Sequence, residues 1–107
     1  MSEDKKLVEM TAHELREVIA HYREQARKAE TMGVINEYEV YQRKALIAES
    51  YLVDPDLVTI GQVYRLIGIE DHYFKVERIK GIFAWGFRLN GTSSEEGIPL
   101  ALLQLKE

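Results

Sequence analysis

Apolar residues return every three or four positions between Leu15 and Ala29. Leu15, Val18, Ile19, Tyr22, Ala26 and Ala29 share one helical face, while Arg16, Glu17, Arg23, Glu24 and Arg27 project elsewhere. The spacing predicts an amphipathic helix. Its start is marked by Thr11 as N-cap, Glu14 three residues on to complete a capping box, and Met10 with Leu15 as a hydrophobic staple. Gly33, free to turn left-handed, marks its end. A second stripe, Tyr38, Tyr41, Ala45, Ala48 and Leu52, widened by Val40, Ile47 and Tyr51, predicts a second helix. Asn36 and Glu39 read as its capping box, with a start one turn earlier as the alternative, and Asp54-Pro55 stops it. So short a connection predicts an antiparallel helical hairpin.

After Pro55 the period changes. QVYRLIG, HYFKVERI, IFAWGFRL and IPLALLQL are short alternating or apolar runs punctuated by glycine, which is the pattern of strands. Lys80-Gly81 predicts a tight hairpin that makes residues 73 to 79 and 82 to 89 antiparallel neighbours. In IFAWGFRL the odd positions carry Phe83, Trp85, Phe87 and Leu89, the even ones Ile82, Ala84, Gly86 and Arg88. The bulk of the odd side predicts that it is the buried face; a ligand-facing aromatic platform is the alternative. Gly86 then marks a bend or a close backbone approach. The polar segment 90 to 97 reads as a loop, and Leu100, Leu102, Leu103 and Leu105 as a turn and last strand that close the core.

The expected fold is therefore α+β, an N-terminal antiparallel helical hairpin packed on a small SH3-like antiparallel β-barrel. The hairpin is expected over residues 1 to 56 and the barrel over 57 to 107, folding as one cooperative unit because each part is small.

Composition narrows the chemistry. The chain has 107 residues, a net charge of −4 and no cysteine, so disulfides and thiolate chemistry are excluded. The opening MSEDKK leads into no continuous apolar stretch, which predicts a cytoplasmic chain that does not enter the membrane. Residues 1 to 59 hold 8 Lys or Arg against 12 Asp or Glu, and residues 60 to 107 hold 6 of each, so the acidity lies in the front half. A helix-turn-helix reading of the two helices fails on this charge. Glu37 and Glu39 would stand where a recognition helix meets bases and phosphates.

No nucleophile and base, paired acids, metal spacing or phosphate loop stands out. His13 and His21 belong to a solvated helix, and Glu70, Asp71 and His72 read as a turn. The expectation is a protein that is not an enzyme, with no catalytic residue, no metal and no cofactor. What the strands do offer is a candidate binding surface of Arg65, Tyr73, Lys75, Arg78, Lys80, Trp85 and Arg88, basic and aromatic side chains suited to nucleic acid. A protein partner, or a second copy of the chain, is the other reading of the same module.

The stretches ARKAETMGVINEYEVYQRKALIAESYLVDP, GQVYRLIG, YFKVERIKGIFAWGFRL and IPLALL resemble the YfhH-like proteins of bacilli over nearly all of residues 10 to 103. The resemblance implies a pair of helices joined to an SH3-like barrel, in a family described as transcriptional regulators; together with the absence of a catalytic constellation in the sequence it sets the expectation of a non-enzymatic regulatory or adaptor protein. It brings no catalytic or ligand motif with it.

Overall fold

A computed structural model describes residues 5–89, 91 and 94–105. The chain divides into two compact units between Leu52 and Val53.

The helical unit holds a 3-10 turn at Leu7–Glu9, then α1 (Ala12–Met32) and α2 (Ile35–Ser50), which run along each other. The capping box predicted at the start of α1 is present. The Glu14 backbone N–H donates to Thr11 Oγ1 at 3.1 Å, and the Thr11 N–H donates to Glu14 Oε1 at 2.9 Å. Two orphan amides of the first turn are thereby satisfied. At the other end Gly33 takes φ 77°. Its N–H donates to Glu30 O and that of Val34 to Ala29 O, the paired bonds of a Schellman turn.

That turn leaves only Gly33 and Val34 between the helices, so α2 begins at Ile35 and the capping box expected at Asn36 is not made. Val34 occupies the cap position and offers no side-chain acceptor. Leu15, Val18, Ile19, Ala26 and Ala29 of α1 are buried as predicted. In α2 the buried apolar residues are Ala45 and Ala48, whereas Val40 stays half exposed. Among the described residues no helix is long and apolar enough to cross a membrane.

The β unit is a four-stranded antiparallel sheet in the order β1 (Val63–Arg65), β2 (Tyr73–Lys80), β3 (Phe83–Arg88), β4 (Glu96–Pro99). The β2–β3 hairpin is the one predicted, with Gly81 at φ 60° in its turn. The sheet is not closed: β1 and β4 are its edges. An isolated bridge, Leu66 to Leu103, meets the β1 side. It is flanked by Ile67 N–H to Leu102 O at 2.8 Å and Gln104 N–H to Arg65 O at 2.9 Å. The last strand is Glu96–Pro99, so Glu96 and Gly97 leave the predicted loop, and Leu100–Leu102 form a 3-10 turn. Residues 90, 92 and 93 of that loop lie outside the described residues.

The buried side of β3 is the reverse of the expectation. Ala84 is 0% exposed and Gly86 is buried, while Phe83, Trp85 and Phe87 are half-buried and Leu89 is 57% exposed. The core of the unit is Val58, Leu66, Phe74, Val76, Ala84, Ile98, Leu100 and Leu103. Bulk alone predicted the other face, but a small side chain goes inward where the neighbouring backbone leaves no room. A Cβ on Gly86 would stand 1.9 Å from the carbonyl oxygen of Lys75. Phe74, Val76 and Ile98 supply the apolar volume instead.

Candidate binding face

The register of β2 against β3 decides where its charged side chains go. Lys75 pairs with Phe87 and Val76 with Gly86, but the next pair is Arg78 with Trp85, leaving Glu77 as the extra residue of a β-bulge. Strict alternation puts Arg78 and Lys80 on the side of Val76, in the core. The bulge reverses the phase, and the burial pattern reverses with it: Phe74 and Val76 are buried before the bulge, Ile79 turns inward after it. Arg78 and Lys80 thereby join Tyr73 and Lys75 on the outer face.

Four rows result, each with a cation and an aromatic side by side. Arg65 pairs with Tyr73, Lys75 with Phe87, Arg78 with Trp85, and Lys80 with Phe83. Directly opposed residues of an antiparallel pair share a face with Cβ atoms about 5 Å apart. In the third row the Arg78 guanidinium lies 5.1 Å from the Trp85 ring centroid. The indole continues across β4 at Gly97, its cross-strand partner. The arrangement combines flat apolar faces for a planar group with donors for an anion.

Six of the seven residues singled out in the sequence, Arg65, Tyr73, Lys75, Arg78, Lys80 and Trp85, share this face. Arg88 does not. It pairs with Phe74 on the inward phase, donates from Nε to Glu96 Oε1 at 3.0 Å, and brings a guanidinium nitrogen to 3.4 Å from His72 Nδ1. His72 follows a turn in which Asp71 has φ 61°, consistent with the turn expected at Glu70 to His72. His13 pairs with Glu17 on the exposed side of α1.

Sequence reasoning assigned Phe83 and Phe87 to the core and passed over Glu95. The signal that finds the aromatic pair is the glycine at 86, which can line a crowded interior only if its neighbours at 85 and 87 look outward. Glu95 faces Arg78 at 3.3 Å, and Glu77 stands 3.8 Å from Lys75, so two carboxylates partly offset the face. Both pairs are solvent-screened.

A helical hairpin joined in sequence to an open antiparallel sheet, with an outer face of alternating cations and aromatics, defines an α+β protein. The chain belongs to the family described as Protein of unknown function (DUF1811), whose model matches residues 5–104. It is 42% identical over 104 residues to the uncharacterized protein YfhH of Bacillus subtilis (strain 168), a match covering 97% of this chain and 99% of that one.

Proposed function

We propose that the chain is a non-enzymatic regulatory adaptor that holds single-stranded nucleic acid on the outer face of an SH3-like β unit. The observation that carries the reading is the set of four cross-strand rows in which a cation stands beside an aromatic ring. Single strands are held by stacking of their bases on aromatic side chains while Lys and Arg track the phosphates. A duplex keeps its bases stacked within itself and takes less from such a face. The Leu66–Leu103 bridge beside β1 supports reading the sheet as a small barrel of SH3-like kind.

The net charge of −4 limits the affinity, because the attraction is local rather than global. With Arg78 engaged by Glu95, about three phosphate contacts are available. These give a slope near −2 in log affinity against log salt for a single strand. The test is a titration of labelled single-stranded DNA, single-stranded RNA and duplex at two salt concentrations. It uses the full chain and the triple variant Lys75→Glu, Arg78→Glu, Lys80→Glu. Binding of single strands that the variant loses while remaining folded is the expected result. No binding at low salt, or binding that the variant keeps, overturns the reading and leaves a protein partner or self-association for the same face.

A further inference from the structure

The helical unit carries a second feature, independent of the sheet. A cleft of about 630 Å³, within the size range of small-molecule sites, is lined by the segment before α1 and by residues of α1 and α2. Its polar lining is one-sided. Lys5, Lys6, His21 and Lys44 reach it together with the rings of Tyr22 and Tyr41, and among the described residues no carboxylate lines it. In a chain with 18 acidic and 14 basic residues such a lining runs against the composition.

The charges differ in availability. Lys5 Nζ donates to both oxygens of Glu14, at 2.8 and 3.0 Å, so it fastens the entering segment to the first turn of α1. Lys44 is held by rings instead: its ammonium stands 5.4 Å from the Tyr41 centroid and 5.7 Å from that of Tyr22. Among the described residues neither Lys44 nor Lys6 has a carboxylate within ion-pair distance. The Tyr22 and Tyr41 rings lie 6.3 Å apart at 36°, and Leu7 and Val18 add apolar wall.

Two ammonium groups, Lys6 and Lys44, that have no ion-pair partner among the described residues and share a cleft of this size with aromatic rings fit a ligand that is planar at one end and anionic at the other. We propose that the cleft binds a mononucleotide, its base against Tyr22 and Tyr41 and its phosphate on Lys44 and Lys6. Both ends are needed. Lysine alone recognises a phosphate as a point charge, and the rings alone hold a base weakly in water.

The experiment follows amide shifts of the isotope-labelled full chain during titration with AMP, adenosine and inorganic phosphate. AMP is expected to bind and to move the amides of residues 5 to 10, His21, Tyr22, Tyr41 and Lys44, with adenosine and phosphate each at least about tenfold weaker. Lys44→Gln removes a charged donor from an exposed position and is expected to weaken AMP binding roughly ten- to hundredfold with an unchanged melt. Lys75→Glu with Lys80→Glu, on the sheet, is expected to leave AMP binding as it was. Phosphate binding as tightly as AMP overturns the proposal in favour of a plain anion site. No shifts with AMP, shifts confined to the sheet, or AMP binding unaffected by Lys44→Gln also overturn it.

Discussion

The indole of Trp85 lies across the backbone of Gly97. A Cβ at position 97 would stand 2.7 Å from both Cε2 and Cζ2 of the ring, closer than van der Waals contact allows. The glycine of β4 is thus the floor on which one aromatic of the candidate face rests, while Arg78 covers the ring from β2 at 5.1 Å.

Gly97→Ala and Gly86→Ala are expected to differ sharply, although each adds one methyl group. At position 97 the obstacle is a side chain at the surface, which can swing away; at 86 it is the backbone oxygen of Lys75, 1.9 Å from the new Cβ, which cannot. Gly97→Ala is expected to keep the fold and cost about 1 kcal/mol, with Trp85 released toward water. Gly86→Ala is expected to cost about 3 kcal/mol or more, at or beyond the upper end of overpacking. Urea unfolding measures both, and Trp85, the single tryptophan, reports its own displacement by a red-shifted emission.

Large-to-small changes separate the two faces of the sheet. Phe74, 0% exposed, is expected to cost about 3 to 5 kcal/mol as Phe74→Ala. Leu89→Ala, at an exposed position, is expected to stay within about 0.5 kcal/mol. Phe87→Ala falls between them and is expected to weaken single-strand binding by loss of a stacking surface. Equal losses for Phe74→Ala and Phe87→Ala in denaturant melts contradict the inward assignment of the even residues on β3.

Removing Glu95 tests whether the face is partly self-occupied. Arg78 donates to both oxygens of this carboxylate at 3.3 Å, and Glu95→Gln leaves its guanidinium uncompensated. The variant is expected to bind single-stranded DNA several-fold more tightly at low salt. Its salt slope steepens by about 0.7, the increment of one added phosphate contact. An unchanged slope means that Arg78 is not among the contacts.

Acid reports on the start of α1. The Lys5 ammonium, hydrogen-bonded to Glu14, and the Thr11 backbone N–H beside it hold the Glu14 carboxyl below its ordinary 4.5. A lowered folded-state value means that the stabilisation is present in full above about 4.5 and is lost as pH falls through the lower folded value. Wild type is expected to exceed Glu14→Gln in thermal stability at neutral pH, and the gap to close in acid. Thr11→Ala, which deletes the cap acceptor, is expected to cost about 1 kcal/mol. Melts across the acid range check both.

The helical unit was legible almost residue by residue because its signals are local. Thr11 and Glu14 answer each other within one turn, Gly33 and Val34 close α1 against the carbonyls of Glu30 and Ala29, and the stripe from Leu15 to Ala29 needs only the helical period. The error at Asn36 is local too: a Schellman turn of two residues claimed the ground on which a capping box was expected.

The candidate face was legible in its residue types and not in its geometry. Arg65, Tyr73, Lys75, Arg78, Lys80 and Trp85 stand out as a basic and aromatic set, yet alternation along β2 splits Arg78 and Lys80 from Tyr73 and Lys75. What reunites them is the extra residue at Glu77, and a bulge is made by two strands, not one. The same holds for β3. Counting bulk sends Phe83, Trp85 and Phe87 inward, whereas the approach of Lys75 to Gly86 and the seat of Trp85 on Gly97 turn them out. The sequence by itself determined the helices, the β2–β3 hairpin and the chemistry available on the strands. Which side of the sheet displays that chemistry was decided by packing between backbones distant in the chain, because a one-residue shift in pairing exchanges every inward side chain for an outward one.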